Sequence, residues 1–151
     1  MTFAADLERF KLGAVAKTDA TVRAVTQNLF NSIVLSSPVD TGRFRGNWQI
    51  SMTAPITSET ERLDPTGATV LAEIAAGIGP AGGKTFLANN LPYAEVIEFG
   101  GYPDPVKQGS WVKGVGWVIK SIGGFSKQAP AGCVRVNMTR IQAILRLAQH
   151  G

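Results

Sequence analysis

Cysteine and histidine are almost missing from this chain: its 151 residues include one of each, Cys133 and His150. A single cysteine excludes an internal disulfide, so nothing here implies an oxidising compartment. A single histidine, next to the last residue, leaves a Ser-His-Asp triad or a His-rich metal site without its parts. Long apolar runs are missing too; no stretch approaches the roughly 20 residues that a membrane span needs. The first thirty residues carry Asp6, Glu8, Arg9, Lys11, Lys17, Asp19 and Arg23, which interrupt the apolar core of any signal peptide. The expectation is a chain made and kept in a cytoplasm, with no membrane contact. Acidic residues are scarce at one end. Residues 101–151 hold seven basic side chains against one acid, Asp104, whereas residues 1–100 hold 8 basic and 10 acidic ones. Such a basic third suits an acidic partner or nucleic acid. Its lysines at 107, 113, 120 and 127, however, are spread through a glycine-rich stretch and not gathered into a phosphate-binding patch.

At this length one domain is expected, residues 1–151, able to bury a core without a disulfide or metal. Thr2 can cap a first helix on which Phe3, Leu7 and Phe10 share a face. Gly13 weakens its middle, and Asp19 offers a second cap. Val22, Val25, Leu29 and Ile33 then make a stripe at helical spacing. Pro38 stops the helix, and Asp40-Thr41-Gly42 forms a turn. Trp48, Ile50 and Met52 alternate with polar residues, the period of a half-buried strand. Residues 54–67 read as a loop. Residues 68–76 fit a short helix or, through Val70, Ala72 and Ile74, a strand. The segment 77–83 is a glycine turn, and 85–89 is a strand leading into Asn89-Asn90-Leu91-Pro92-Tyr93. Residues 93–99 fit either period. From Val134 or Val136 onward, Met138, Ile141, Leu145 and Ala148 line one face of a helix.

Residues 100–128 contain seven of the 17 glycines, along with Pro103, Pro105, Trp111, Val115, Trp117, Ile119 and Ile122. A structureless loop of this length is uncommon unless functional, and exposed apolar surface usually means a partner. Two readings stand. One is a partner-binding arm, mobile when free and anchored by Trp111 and Trp117; the other is a hairpin that folds back on its own sheet.

Four patterns suggest chemistry and fail on context. Asp40-Thr41-Gly42 is the triplet of retroviral-type aspartic proteases, where two carboxylates share a proton. Here Pro38 precedes it, and Arg43 follows and favours the ionised form. Gly77-Ile78-Gly79-Pro80-Ala81-Gly82 matches G-x-G-x-x-G, but Pro80 removes an amide and a strand follows instead of a helix. Gly83-Lys84-Thr85 resembles the end of a P-loop without its leading glycine. Glu95 and Glu98 lack an accompanying cluster and read as a polar edge or a subunit contact to Arg. Cys133 reads as a small buried side chain. No catalytic residue, cofactor or metal is expected, and an enzyme is disfavoured.

Two stretches and an echo carry a stronger signal: Ser37-Pro38-Val39-Asp40-Thr41-Gly42-Arg43-Phe44-Arg45-Gly46-Asn47-Trp48, then Asn89-Asn90-Leu91-Pro92-Tyr93-Ala94-Glu95-Val96-Ile97-Glu98-Phe99-Gly100, then Gln128-Ala129-Pro130-Ala131-Gly132. They are dense in turn formers, and Trp48, Tyr93 and Phe99 would be buried anchors. In this order they resemble the tail-completion, or neck, family of long-tailed double-stranded DNA bacteriophages, also called minor tail or head–tail joining proteins. The resemblance covers nearly the whole chain. It departs at Asn47, where Ser is common, at Cys133, where Met is common, and in the longer, Trp-richer stretch 101–127.

The fold expected is α+β, a small, mostly antiparallel sheet packed against N-terminal and C-terminal helices. The resemblance implies a virion structural protein, assembled in the host cytoplasm as a ring of its own copies (hexameric by expectation) at the head–tail junction. Its partners would be tail terminator, tail tube or head-connector proteins, with DNA passing through the ring unread. Asp40, Thr41, Gly42, Arg43, Trp48, Asn90, Pro92, Tyr93, Glu98 and Gly100 would be structural, with the Asp40 carboxylate accepting backbone amides in its turn. Trp111, Trp117, Gln128 and Pro130 would meet partners. The rival from another class is a basic nucleic-acid-binding accessory protein.

Overall fold

One unbroken helix, α1 (Phe3–Ser36), replaces the two expected at the N-terminus. The computed structural model describes residues 3–150, and the side chains of 4–143, 145 and 146; Thr2 as a cap, and the side chains of Phe3, Ala148 and His150, lie outside these. Gly13 stays helical although nothing lies near its Cα, at a cost of about 1 kcal/mol relative to alanine. Asp19 does not cap: its carboxylate accepts the amide of Ala81, at 2.6 Å, and so ties the middle of α1 to the glycine turn. Residues 4–18 are all exposed, and burial of the helix grows only toward Ile33 and Val34.

Helix α2 (Arg43–Gly46) is a single turn that the sequence reading did not foresee. It leads into strand β1 (Gln49–Ser51). Helix α3 (Ala68–Gly77) resolves the first ambiguity in favour of a helix, with Val70 and Ile74 on its buried side. Strand β2 (Phe86–Ala88) pairs antiparallel with β1, Ile50 opposite Leu87. Helix α4 (Ala94–Phe99) resolves the second.

The stretch that follows is neither a structureless arm nor an addition to the first sheet. It forms two small antiparallel hairpins, β3 (Ser110–Val112) with β4 (Gly116–Val118), and β5 (Ser121–Ile122) with β6 (Phe125–Ser126). The strands therefore lie in three separate two-stranded ladders, and the chain is α+β. Helix α5 (Val134–His150) packs against α1. Its buried face is not Met138 and Leu145, which are exposed, but Cys133, Asn137 and Ile141 at successive i, i+4 positions. The Asn137 amide donates to the carbonyl of Cys133 and to the hydroxyl of Ser36, holding the two long helices in register.

One apolar cluster joins these pieces: Ile33 and Val34 of α1, Phe44, Trp48, Val70 and Ile74 of α3, Ile78, Leu91, Ile97 and Cys133. Trp48 sits at its centre as expected, 6% exposed, edge-on to Phe44 at 5.9 Å. Its indole N–H donates to the Ser37 hydroxyl at 2.8 Å, so the polar edge of the ring is satisfied where it is buried.

Candidate functional site

The motif stretches form a frame in which polar side chains hold loop backbone. Asp64, in the loop before α3, is buried, and its carboxylate accepts the amides of Gly67, Thr69 and Val70 at 2.9–3.1 Å. Burial pushes its carboxyl up, but those amides and the Thr66 hydroxyl outweigh burial and hold it below its ordinary value. Asn47, fully buried, donates to the carbonyls of Arg43 and Thr60 and accepts the Thr60 amide. Arg45 donates to the carbonyls of Leu35 and Ser37, closing the C-terminus of α1, and to that of Pro65. Gly42 has φ 88°, and a Cβ there would lie 2.4 Å from the nitrogen of Pro65. The turn therefore demands glycine on both conformational and steric grounds.

Glu98 is the second such group. It is 8% exposed at the end of α4, yet its carboxylate accepts the amides of Cys133, Val134 and Arg135 at 2.8–2.9 Å. It thus caps α5 from a distant element and also pairs with the Arg135 guanidinium at 3.1 Å. Burial pushes this carboxyl up, but the three amides and Arg135 more than offset it, and the net direction is down. The close approach depends on Gly132, where φ is 82° and a Cβ would stand 2.6 Å from the Glu98 carbonyl oxygen. Cys133 is packed beside this cap. Burial, then the Glu98 charge, pushes its thiol up to about 11, which makes it a poor nucleophile at neutral pH.

Beside the frame lies an open cleft of about 700 Å³. One wall is the 38–44 turn. A second is Tyr93 and Ile97 at α4. The third comes from residues 102–110 and 120–128. Tyr93 stacks at a tilt on Phe44, 6.0 Å between ring centres. Burial raises its phenol, partly countered by Arg43. Gln128 ties two walls together: its side-chain oxygen accepts the Val39 amide and its nitrogen donates to the Val39 carbonyl, both at 2.8 Å. The lining includes Arg43, Lys107 and Lys120 with one acid, Asp40. Arg43 faces Glu59 and Glu61, and Lys120 pairs with Asp40 at 2.9 Å.

Several expectations are corrected. Asp40 accepts no backbone amide; it is exposed and bonded to Lys120, while Thr41 takes the Arg43 amide. Amide acceptance belongs to Asp64 and Glu98 instead. Glu98 is neither a polar edge nor a subunit contact, because its arginine is in its own chain. Tyr93 (37% exposed) and Phe99 (63%) are not buried anchors. Phe99 lies under the Arg135 guanidinium, 4.8 Å from the ring centre. Gln128, expected to meet a partner, has its amide engaged within the chain. Asn90 does hold structure, donating to the carbonyls of Ile56 and Ser58. Pro92 and Gly100 bracket α4, and Pro130 is exposed beyond the second hairpin. The glycine-rich 77–83 turn follows α3 and precedes β2, the reverse of a nucleotide-binding strand–turn–helix. Asp64, Asn47, Arg45, Ser37 and Asn137 were missed; Asp64-Pro65 before an apolar run was a legible cap signal.

Trp111 and Trp117 face each other across β3–β4, edge to face at 5.7 Å, and both remain exposed, at 64% and 61%. Among the described residues, no helix is long and apolar enough to cross a membrane, and no cluster of His, Cys, Asp and Glu could hold a metal ion. No protein-family model matches the chain, and neither a curated protein nor a solved structure matches it.

Proposed function

We propose that this chain is a virion structural protein of a long-tailed bacteriophage, a tail-completion or neck component that forms a ring with its own copies where tail meets head. The observation that carries the reading is the pair of apolar surfaces left uncovered on different elements. One is the N-terminal half of α1, with Leu7, Phe10, Leu12 and Val15 exposed. The other is the β3–β4 hairpin, with Trp111, Val115 and Trp117. Large exposed apolar residues grouped in this way mark contact surfaces. Two unlike patches on one chain suit the head-to-tail contacts that close into rings. The motif resemblance supports the same reading, since the polar residues of the motifs act largely as internal ties that leave the outward surfaces free for partners. Electron microscopy of intact particles tests it: copies arranged cyclically at the neck or tail top are expected, and their absence from both places overturns it.

The rival, a nucleic-acid-binding accessory role, draws on Lys113 at the tip of the Trp hairpin and on the neighbouring lysines. Aromatic faces beside cations can hold single strands. A DNA affinity falling steeply with salt would favour it, whereas Lys120 is already neutralised by Asp40.

A further inference from the structure

The exposed tip of α1 and the open cleft lie at opposite ends of one rigid element. The turn that follows Ser36 forms a cleft wall. A helix of 34 residues is about 50 Å long at 1.5 Å per residue. The tip of a chain therefore cannot reach its own cleft. Leu7, Phe10 and Ala14 stand at i, i+3 and i+7, the spacing with which a helix seats in an apolar groove. Phe10 is 75% exposed.

The cleft offers what such a face needs. Phe44, Tyr93 and Tyr102 line it, and its volume of about 700 Å³ lies within the range of ordinary binding clefts. Charge also matches. Asp6, one turn before Phe10 on the same side of α1, has no ion-pair partner among the described residues, and neither has Lys107 in the cleft lining. Within the chain Lys11 is paired with Glu8, Arg43 with Glu59 and Glu61, and Lys120 with Asp40, so the base of the cleft lining left to meet an acid from another copy is Lys107.

We infer that the tip of α1 of one copy docks in the cleft of the next, with Phe10 against Tyr93 and Tyr102 and Asp6 at Lys107. This rests on the ring reading above and names its contact: a donor at one end of the rod and an acceptor at the other, repeated around the assembly.

The test uses the full chain with a photo-crosslinking phenylalanine analogue at position 10, both in assembled particles and in concentrated solution. Crosslinks are expected to residues 93–110 of another copy. Asp6→Lys should weaken self-association at least tenfold, and Lys107→Glu in the same chain should restore it. Phe10→Asp should abolish association with little change in melting temperature, because the side chain is 75% exposed. Crosslinks between two α1 helices, or to a different virion protein, would overturn the docking and leave the ring reading standing. A chain that never associates, in solution or in particles, would overturn both.

Discussion

The frame built by the motif stretches and the hairpin β3–β4 invert the usual rule of burial. In the frame, two carboxylates, Asp64 and Glu98, are 5% and 8% exposed. In the hairpin, two tryptophans are more than half exposed. What decides burial is therefore not hydrophobicity but what must be satisfied locally. The frame is made of loops and helix ends whose backbone amides need acceptors away from water. The hairpin satisfies its backbone by pairing β3 with β4, and nothing in the chain requires its outer face to be covered. An isolated two-stranded hairpin is only marginally stable in water, so a covered Trp face would gain most from a partner.

The sharpest way to break this comparison is to remove a frame acceptor. Glu98→Ala should destabilise by about 3–5 kcal/mol, since it leaves three backbone amides at the start of α5 without their acceptor. Trp48→Ala should cost a similar amount, about 3–5 kcal/mol, through lost packing. Chemical denaturation measures both; a loss near zero for Glu98→Ala would mean that α5 is held by its apolar face alone.

Acid should reproduce part of the first effect. Both carboxyls sit below their ordinary values of 3.8 and 4.5 in the folded chain. A depressed native pKa adds stability that is complete above the unfolded value and disappears as pH falls through the native one. Unfolding free energy should thus be flat near neutrality and decline below about pH 4.5. In Glu98→Gln this decline should be shallower.

A smaller contrast separates the two aspartates. Asp64→Asn replaces an acceptor of three amides with a group that has one acceptor oxygen, and should cost about 1–3 kcal/mol. Asp40→Asn removes only an exposed ion pair, worth about 0–1 kcal/mol, and the protein should remain folded and keep the role proposed above. Loss of function in Asp40→Asn with an intact fold would return attention to catalysis. The smallest thermal effect is expected on the other side of the comparison. Trp111→Ala combined with Trp117→Ala should leave the melting temperature almost unchanged while abolishing the tail-completing role proposed above. A drop of many degrees would show that the hairpin supports the fold, and its partner role would be withdrawn.

Elements with strong local periodicity were legible in the sequence: the C-terminal part of α1, β1, β2, α5, and the stop at Pro38. Trp48 was legible as core from its bulk, whereas the alternation through Ile50 and Met52 failed: Met52 lies beyond β1 and is exposed. What the sequence hid depends on contacts between distant residues. Glu98 serves amides 35 to 37 positions away, Gln128 serves Val39 across 89, and no local pattern encodes either. Tyr93 and Phe99 misled because aromatic content suggests burial, whereas here each ring lies against a neighbour with one face open. The 100–128 stretch was legible in part: a hairpin was one of its two readings, but not that there would be two of them, paired apart from the β1–β2 ladder.

The bond between Asp19 and the Ala81 amide has a mechanical meaning. It is the last tie on α1 before the exposed half begins, so it acts as a fulcrum. The 16 described residues beyond it form a stiff lever about 24 Å long. Because the helix is continuous to Ile33 and Val34, a tilt of about 10° there would swing the tip by about 4 Å. The chain thus carries a rigid frame and an adjustable reach in one helix, and a single hydrogen bond marks the boundary between them.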